Sequence, residues 1–207
     1  MSTQSSPSWL SIAIRDIRLF FYASAFMFWF NYTASRFLNF LFGKGWDVKV
    51  VRATSLSEAR DMMHNVSYEY DTGMIFGRKF KHFWMKPAGY VQKCLDEGKK
   101  AKGDCDEFAS YGAEIILDCP GVVDSYIMTI RWETEDGVHA GHNIGLYRYV
   151  RKDGMLGWGH IGNWGLHEGF SSPMGVALSI GRGGGGRLIA FAMCDKDHRM
   201  LAHVRTV

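Results

Sequence analysis

The sequence lacks several patterns that would assign a function directly. No two of the four cysteines form a Cys-x-x-Cys pair, which argues against a zinc ribbon or a thioredoxin-type motif. The net charge is only +3 and no run of lysine and arginine stands out, so a nucleic-acid partner is not expected. The glycine-rich stretch 181–187 lacks the Gly-Lys-Ser/Thr ending of a phosphate-binding loop, and we interpret it as a flexible surface loop.

Long hydrophobic runs are missing as well. The most apolar stretch, Leu19 to Phe30, falls short of the ~20 residues that a membrane-spanning helix needs. With 47% hydrophobic and 22% charged residues, the composition is that of an ordinary globular protein rather than a disordered one. A chain of 207 residues is long enough for one domain with a real core plus an appendage.

Residues 1–46 predict an aromatic-rich N-terminal helical arm ahead of a domain at 47–207. On a helical wheel its aromatic side chains fall on one side, and the polar ones on the other are Arg15, Arg18, Asn31, Ser35, Arg36 and Asn39. Three interpretations stay open: a helix in a membrane interface, an uncleaved signal anchor, and an arm packed on its own domain or on a neighbouring subunit. We therefore expect membrane or partner contact through residues 9–42, and a location that is either cytoplasmic or membrane-associated.

The remaining patterns change from helical to extended along the chain. Helices are predicted at 55–71, 105–118 and 171–181, and 87–103 is predicted as a short helix that runs into a basic loop ending in glycine. Strands are predicted at 46–54, 122–134, 141–150, 155–164, 187–195 and 200–207. Helices first and strands later indicate an α+β domain.

The stretch "GDCDEFA" places a cysteine at the start of a helix. Asp104 is a good N-cap and Glu107, three residues later, completes a capping-box pattern, so Cys105 becomes the first helical residue. The partial positive charge and free N–H groups of a helix N-terminus favour a thiolate and can hold an oxyanion. A single cysteine is still more often a small buried hydrophobe, the interpretation given to Cys94, Cys119 and Cys194. The small residues that follow Cys105 at helical spacing predict that this helix packs closely on a sheet.

A cysteine nucleophile needs a base, and the base needs a residue that orients it. "RKDG" at 151–154 predicts a hairpin turn, and pairing Val150 with Met155 places His142 directly opposite Asn163. Directly opposed residues share a face, with Cβ atoms ~4.5–5.5 Å apart, so Asn163 could hold the imidazole of His142. In the same register His160 stands opposite Gly145.

A metal site is the alternative use of these side chains. Cys105 could combine with His139, His142 and His160 as scattered zinc ligands. No His-Glu-x-x-His or paired-cysteine signature supports that arrangement. We expect neither a metal nor a cofactor.

Three motifs in order resemble the transglutaminase-like, papain-related cysteine enzymes. Tyr68 to Asp71 matches Tyr-x-x-Asp, Trp84 to Pro87 matches Trp-x-x-Pro, and Gly103 to Ala109 matches Gly-Asp-Cys-[Asp/Glu]-Asp-[Phe/Tyr]-Ala with Glu107 at the second Asp. His142 then fits the family's histidine, while Asn163 stands where aspartate is usual. The resemblance covers about residues 66–165.

This resemblance implies an α+β papain/transglutaminase-like core with the nucleophile helix on an antiparallel sheet. It also implies acyl transfer through a thioester on Cys105, with His142 as base and Asn163 as its orienter. Support for the site and its oxyanion is assigned to Trp84, Gln92 and Asp104. A protein or peptide substrate, cleaved by a peptidase or amidase rather than joined by a cross-linker, fits a domain of this size. The alternative is a catalytically inactive domain that serves binding or assembly, which the Asn163 substitution and the aromatic arm favour.

Overall fold

The computed structural model describes Ile14, Ile17 and residues 19–42, 48–69, 72–75, 78–81 and 85–206. The predicted boundary between arm and domain, at residues 46 and 47, lies outside the described residues.

The elements confirm the α+β class. The helices are α1 Ala25–Phe42, α2 Leu56–His64, α3 Ala88–Asp96, α4 Cys105–Ile115 and α5 Pro173–Gly183. The strands are β1 Val66–Tyr68, β2 Thr72–Ile75, β3 Arg78–Lys81, β4 Ala101–Gly103, β5 Val122–Thr134, β6 His139–Val150, β7 Leu156–Gly162, β8 Gly165–Phe170, β9 Gly186–Cys194 and β10 Met200–Arg205.

A six-stranded antiparallel sheet forms the centre of the domain, in the order β10-β9-β5-β6-β7-β8. Two smaller sheets precede it: the parallel pair β1-β4 and the hairpin β2-β3. The strand predicted at 46–54 is wrong for its described part, since residues 48–54 form no strand. The prediction of a flexible loop at 181–187 is also wrong, because α5 continues to Gly183 and β9 begins at Gly186.

Helices cover both faces of the large sheet. On one face, Ala109 and Ala113 of α4 and Phe28 of α1 pack with Ile127 of β5. On the other face, three buried residues of α5 pack with Met128, Ile130, Ile144 and Leu146 of β5 and β6. This confirms that the helix begun by Cys105 packs on an antiparallel sheet through its small residues.

The arm helix α1 packs on the domain with a face that carries its buried polar side chains. Phe28, Tyr32, Ser35 and Asn39 are buried at spacings of four, three and four residues. The Tyr32 hydroxyl donates to Thr129 Oγ1 at 2.8 Å, and Asn39 Nδ2 donates to the Met85 carbonyl at 2.9 Å. Of the three interpretations of the arm, packing on its own domain is therefore what the structure has, while the aromatic side faces outward. None of the described helices is both long and apolar enough to cross a membrane.

The β6–β7 hairpin has a register different from the predicted one. Val150 pairs with Leu156, not with Met155, because the Arg151 N–H donates to the Met155 carbonyl and closes a longer loop. Every opposed pair therefore shifts by one residue. His160 stands opposite Leu146 rather than Gly145.

Candidate functional site

The start of α4 is built as the sequence predicts. The Asp104 side chain accepts from the Asp106 N–H at 2.9 Å, and Glu107 Oε2 accepts from the Asp104 N–H at 3.0 Å, which completes the capping box. Gly103 allows this closure, since a Cβ there would lie 2.5 Å from the Cβ of Glu107. Asp104 therefore supports the site by fixing where the helix begins, and Cys105 is its first residue.

The Cys105 sulfur lies between the carboxylate of Asp106 and the backbone of β6. Its S–H donates to Asp106 Oδ1 at 3.5 Å, and the sulfur accepts the backbone N–H of Asn143. The Asn143 side chain also donates to Asp106 Oδ1. Burial raises the pKa of the Cys105 thiol, and the charges of Asp106 and Asp104 raise it further. The resting sulfur is therefore a neutral thiol, in spite of its place at a helix N-terminus.

His142 precedes Asn143, whose N–H the Cys105 sulfur accepts, but its side chain turns to the other side of the sheet. It pairs with Ile130, whose side chain packs under α5, so strand alternation places the imidazole on that face. The ring stacks on Trp164, with centroids 4.2 Å apart and an angle of 17° between the planes. Burial lowers the pKa of His142 to about 4, so the imidazole is neutral at neutral pH. Across the described residues, no hydrogen bond joins it to Cys105.

Asn163 is not directly opposite His142, which corrects the predicted register. Gly162 pairs with Gly165, so Asn163 and Trp164 are the two central residues of the tight β7–β8 turn. The shift of one residue places Trp164, not Asn163, against the imidazole. The Oδ1 of Asn163 and the Nε2 of His142 are both buried, and neither has a hydrogen-bond partner among the described residues. One is an acceptor and the other can donate, so the two atoms are complementary.

A cavity of about 570 Å³ opens between the arm and the sheet. Cys105, His142 and Asn143 line it from the domain, together with Arg131 of β5. The opposite wall comes from the arm and includes Tyr22, Met27 and Tyr32. The arm is therefore part of the candidate site rather than an appendage to it.

Two predicted supporting residues have other outcomes. Gln92 is buried at the interface of α3 and α4, where its amide donates to Asp96 Oδ1 at 2.8 Å and accepts from the Val51 N–H at 3.2 Å. Gln92 is not among the described lining residues of the cavity at Cys105, and its support of an oxyanion stays a prediction. Trp84 lies outside the described residues.

The histidines do not assemble a metal site with Cys105. His139 precedes His142 by three residues on β6 and therefore lies on the opposite face, where it stacks on Tyr22. In the described parts of the chain, the single group of three ligand-type side chains within 4.8 Å is Asp104, Cys105 and Asp106. Helix capping and the hydrogen bonds of Asp106 account for that group.

Several residues of the site were missed from the sequence. Trp164 follows directly from the observed hairpin register. Had the predicted loop been one residue longer, Trp164 would have been placed opposite His142 in the prediction. Asn143 and Arg131 alternate with residues of the opposite face, a signal that the strand pattern contains. The arm residues gave no signal, because nothing local to residues 19–42 states which part of the domain they cover.

Comparison with protein-family models, with curated proteins and with solved structures finds no match to this chain.

Proposed function

We propose that this chain is a cysteine-dependent acyl-transfer enzyme, a peptidase or amidase, with a papain/transglutaminase-like core. The observation that supports this most is the position of Cys105. Cys105 begins α4, its sulfur accepts the N–H of Asn143, and both Cys105 and the preceding residue of β6, His142, are among the lining residues of the cavity. A nucleophile and helix N–H groups for an oxyanion thus lie at one opening, and a neutral base lies one residue along the strand that borders it.

The reaction proceeds through a thioester. As the Cys105 sulfur bonds to the carbonyl carbon of a peptide or amide, His142 accepts the thiol proton and then donates it to the leaving amine. Water attacks the thioester, His142 takes a proton from it, and the proton returns to the Cys105 sulfur as the acid leaves. Because the imidazole lies on the opposite face of the sheet from the Cys105 sulfur, these steps require the start of β6 to twist at His142 and the ring to leave Trp164. In that position we expect Nε2 to donate to Asn163 Oδ1, an atom that has no hydrogen-bond partner among the described residues.

The second candidate is a catalytically silent binding module. The hydrogen bond from the Cys105 thiol to Asp106 favours it, since a carboxylate at 3.5 Å opposes a thiolate. The cavity would then hold a ligand without reacting with it.

Hydrolysis of p-nitrophenyl acetate separates the two candidates. The enzyme releases p-nitrophenol and carries an acetyl thioester on Cys105, detected by mass spectrometry. We expect no thioester in Cys105→Ala and a rate about 100-fold lower in His142→Ala, the scale of a lost general base. Cys94→Ala, which removes a half-buried thiol outside the cavity, is the matched control and keeps the rate of the unaltered chain.

A further variant tests the effect of the Asp106 carboxylate on the Cys105 thiol. Asp106→Asn removes the charge that opposes ionisation, so alkylation of Cys105 by iodoacetamide should become about tenfold faster at a fixed neutral pH.

In the hydrolysis experiment, release of p-nitrophenol that is unaffected by both Cys105→Ala and His142→Ala contradicts the enzyme and leaves the binding module.

A further inference from the structure

Arg131 is a buried cation that pairs with no carboxylate among the described residues. It is 7% exposed, in the middle of β5 opposite Gly141. Taking a guanidinium out of water is costly unless an anion or hydrogen bonds compensate it. Burial lowers its pKa, and none of the ion pairs in the described structure includes it.

The arm holds the guanidinium in place. Arg131 Nη1 donates to the Tyr22 carbonyl, and the Cζ atom lies 4.6 Å from the ring centroid of Tyr22 and 4.1 Å from that of Phe28. Stacked rings orient the planar group and leave its edge free. Nε and Nη2 donate to no protein acceptor in the described structure, and neither is sealed from the cavity that Arg131 lines.

Glu133 on the same strand and Asp106 in the cavity wall are engaged elsewhere. Glu133, two residues further along β5, accepts from Arg187 at 3.2 Å and lies 3.7 Å from His139. Asp106, the acidic residue of the cavity wall, accepts from Asn143 and from the Cys105 thiol. The positive charge of Arg131 is therefore left for a ligand.

We infer that Arg131 is the anion-binding residue of the cavity and that the ligand carries a carboxylate, which pairs with the free edge of the guanidinium. A planar guanidinium matches a carboxylate with two parallel hydrogen bonds. As a statement about the substrate this rests on the proposed function, whereas binding of the carboxylate does not. The carboxylate would come from a peptide C-terminus or from an acidic side chain.

The test measures binding without catalysis, by saturation-transfer NMR on the acetyl methyl group of small probes. N-acetylglycylglycine offers a terminal carboxylate, its C-terminal amide offers none, and N-acetylglutamate α-amide offers a side-chain carboxylate. We expect at least one acid to bind about tenfold or more tightly than the amide, the scale of a lost charge-assisted hydrogen bond. The tighter of the two acids identifies the source of the carboxylate.

Variants locate the site on the full chain. Arg131→Gln removes the preference for acid over amide, and Arg131→Lys retains part of it. Arg187→Gln, a surface arginine paired with Glu133, is the matched control and changes nothing. Equal binding of acid and amide by the unaltered chain overturns the inference, and this result does not require that Arg131→Gln fold. A preference for acid over amide that survives in a folded Arg131→Gln overturns it as well. Neither result depends on hydrolysis of p-nitrophenyl acetate.

A different observation, which does not involve Arg131, concerns the outer face of the arm. Large apolar side chains of residues 20–41 are about half exposed or more, namely Phe20, Phe21, Phe26, Trp29, Phe30, Phe37, Phe40 and Leu41. Phe40 reaches 78%. A continuous aromatic face of this kind on a folded domain marks an interaction surface.

The charges beside this face are basic. Arg36 is the sole charged residue between positions 19 and 42, and it is exposed. From β10, the Arg205 guanidinium lies 5.3 Å from the ring centroid of Phe20. Aromatic rings bordered by arginine, with no acid among them, fit the interface of an anionic bilayer.

The geometry points to docking of this aromatic face on an anionic lipid surface, with α1 lying in the plane of the interface. Co-sedimentation with phosphatidylcholine vesicles, with and without phosphatidylserine, tests it on the full chain. We expect binding that needs phosphatidylserine and that falls about tenfold or more in Phe37→Ser/Phe40→Ser. The reason is that these phenylalanines would contribute much of the apolar area that the arm buries against the vesicle. Leu201→Ser, an equally exposed apolar residue on β10, is the control.

Two results overturn the lipid surface. One is no sedimentation with either vesicle. The other is a dimer in analytical ultracentrifugation that Phe37→Ser/Phe40→Ser dissociates while vesicle binding is absent, which assigns the face to a second copy of the chain.

Discussion

Gly145→Ala is expected to lower the free energy of unfolding by about 3 kcal/mol, the upper range for adding a methyl group to a filled core. Gly145 lies on β6 directly under α4. A Cβ at this position would stand 2.7 Å from the Ala113 nitrogen, 3.1 Å from the Ala109 carbonyl oxygen and 3.0 Å from Ile161 Cγ2. Two of these atoms are helix backbone, so relief requires that α4 move away from the sheet.

Urea denaturation of Gly145→Ala and Gly162→Ala measures this effect. Gly162 is the matched control, since it is buried on the neighbouring strand but its Cβ would meet Ile144 Cγ2 at an ordinary 3.6 Å. We expect a loss in Gly162→Ala well below that in Gly145→Ala. Alkylation of Cys105 should also become faster in Gly145→Ala, because the displaced helix exposes its first residue. Equal losses in the two variants would refute the close packing of α4 on β6.

Acid should unfold the domain at a mild pH, since three buried histidines are held neutral. Burial lowers the pKa of His142, His160 and His198 to about 4, against 6.5 for the exposed side chain. The unfolded chain therefore binds more protons than the folded one between these values, and the stability is present above pH 6.5 and lost as pH falls toward 4. Each histidine contributes a loss of about 2 kcal/mol between about pH 7 and about pH 5.

The three losses together are comparable to the free energy of unfolding of an ordinary domain, which is about 5–15 kcal/mol. Urea midpoints at the two pH values measure them. In His160→Gln the loss between pH 7 and pH 5 should be smaller by about 2 kcal/mol. His64→Gln, at the exposed end of α2, is the control and keeps the full loss. An equal loss in His160→Gln and in the unaltered chain would show that His160 takes up no proton on unfolding.

Local chemistry was sufficient to predict α4. The signals for this helix all lie within it: a capping residue, its partner three positions later and a row of small side chains. The capping contacts are local, and small side chains can pack closely on any sheet. The strands β5, β6, β7, β9 and β10 were predicted for the same reason, since apolar alternation is a property of the segment itself.

The register of β6 and β7 could not be read with the same accuracy. Arg151–Met155 allows a short and a longer hairpin loop, and a difference of one residue reverses which side chains share a face. That single residue replaced Asn163 by Trp164 beside His142. The strands β1 and β4 were missed because three-residue strands carry too short a pattern.

By itself, the sequence determined the α+β class, the helix that starts at Cys105 and the presence of an aromatic arm. Those features follow from propensity, capping and periodicity, which act over a few neighbouring residues. Only the tertiary structure decided that α1 buries Ser35 and Asn39 and leaves its aromatic rings outside, and that Tyr22 and Phe28 clamp Arg131. These contacts join residues between 46 and 109 positions apart, and their energies depend on surfaces that exist only after the sheet has formed.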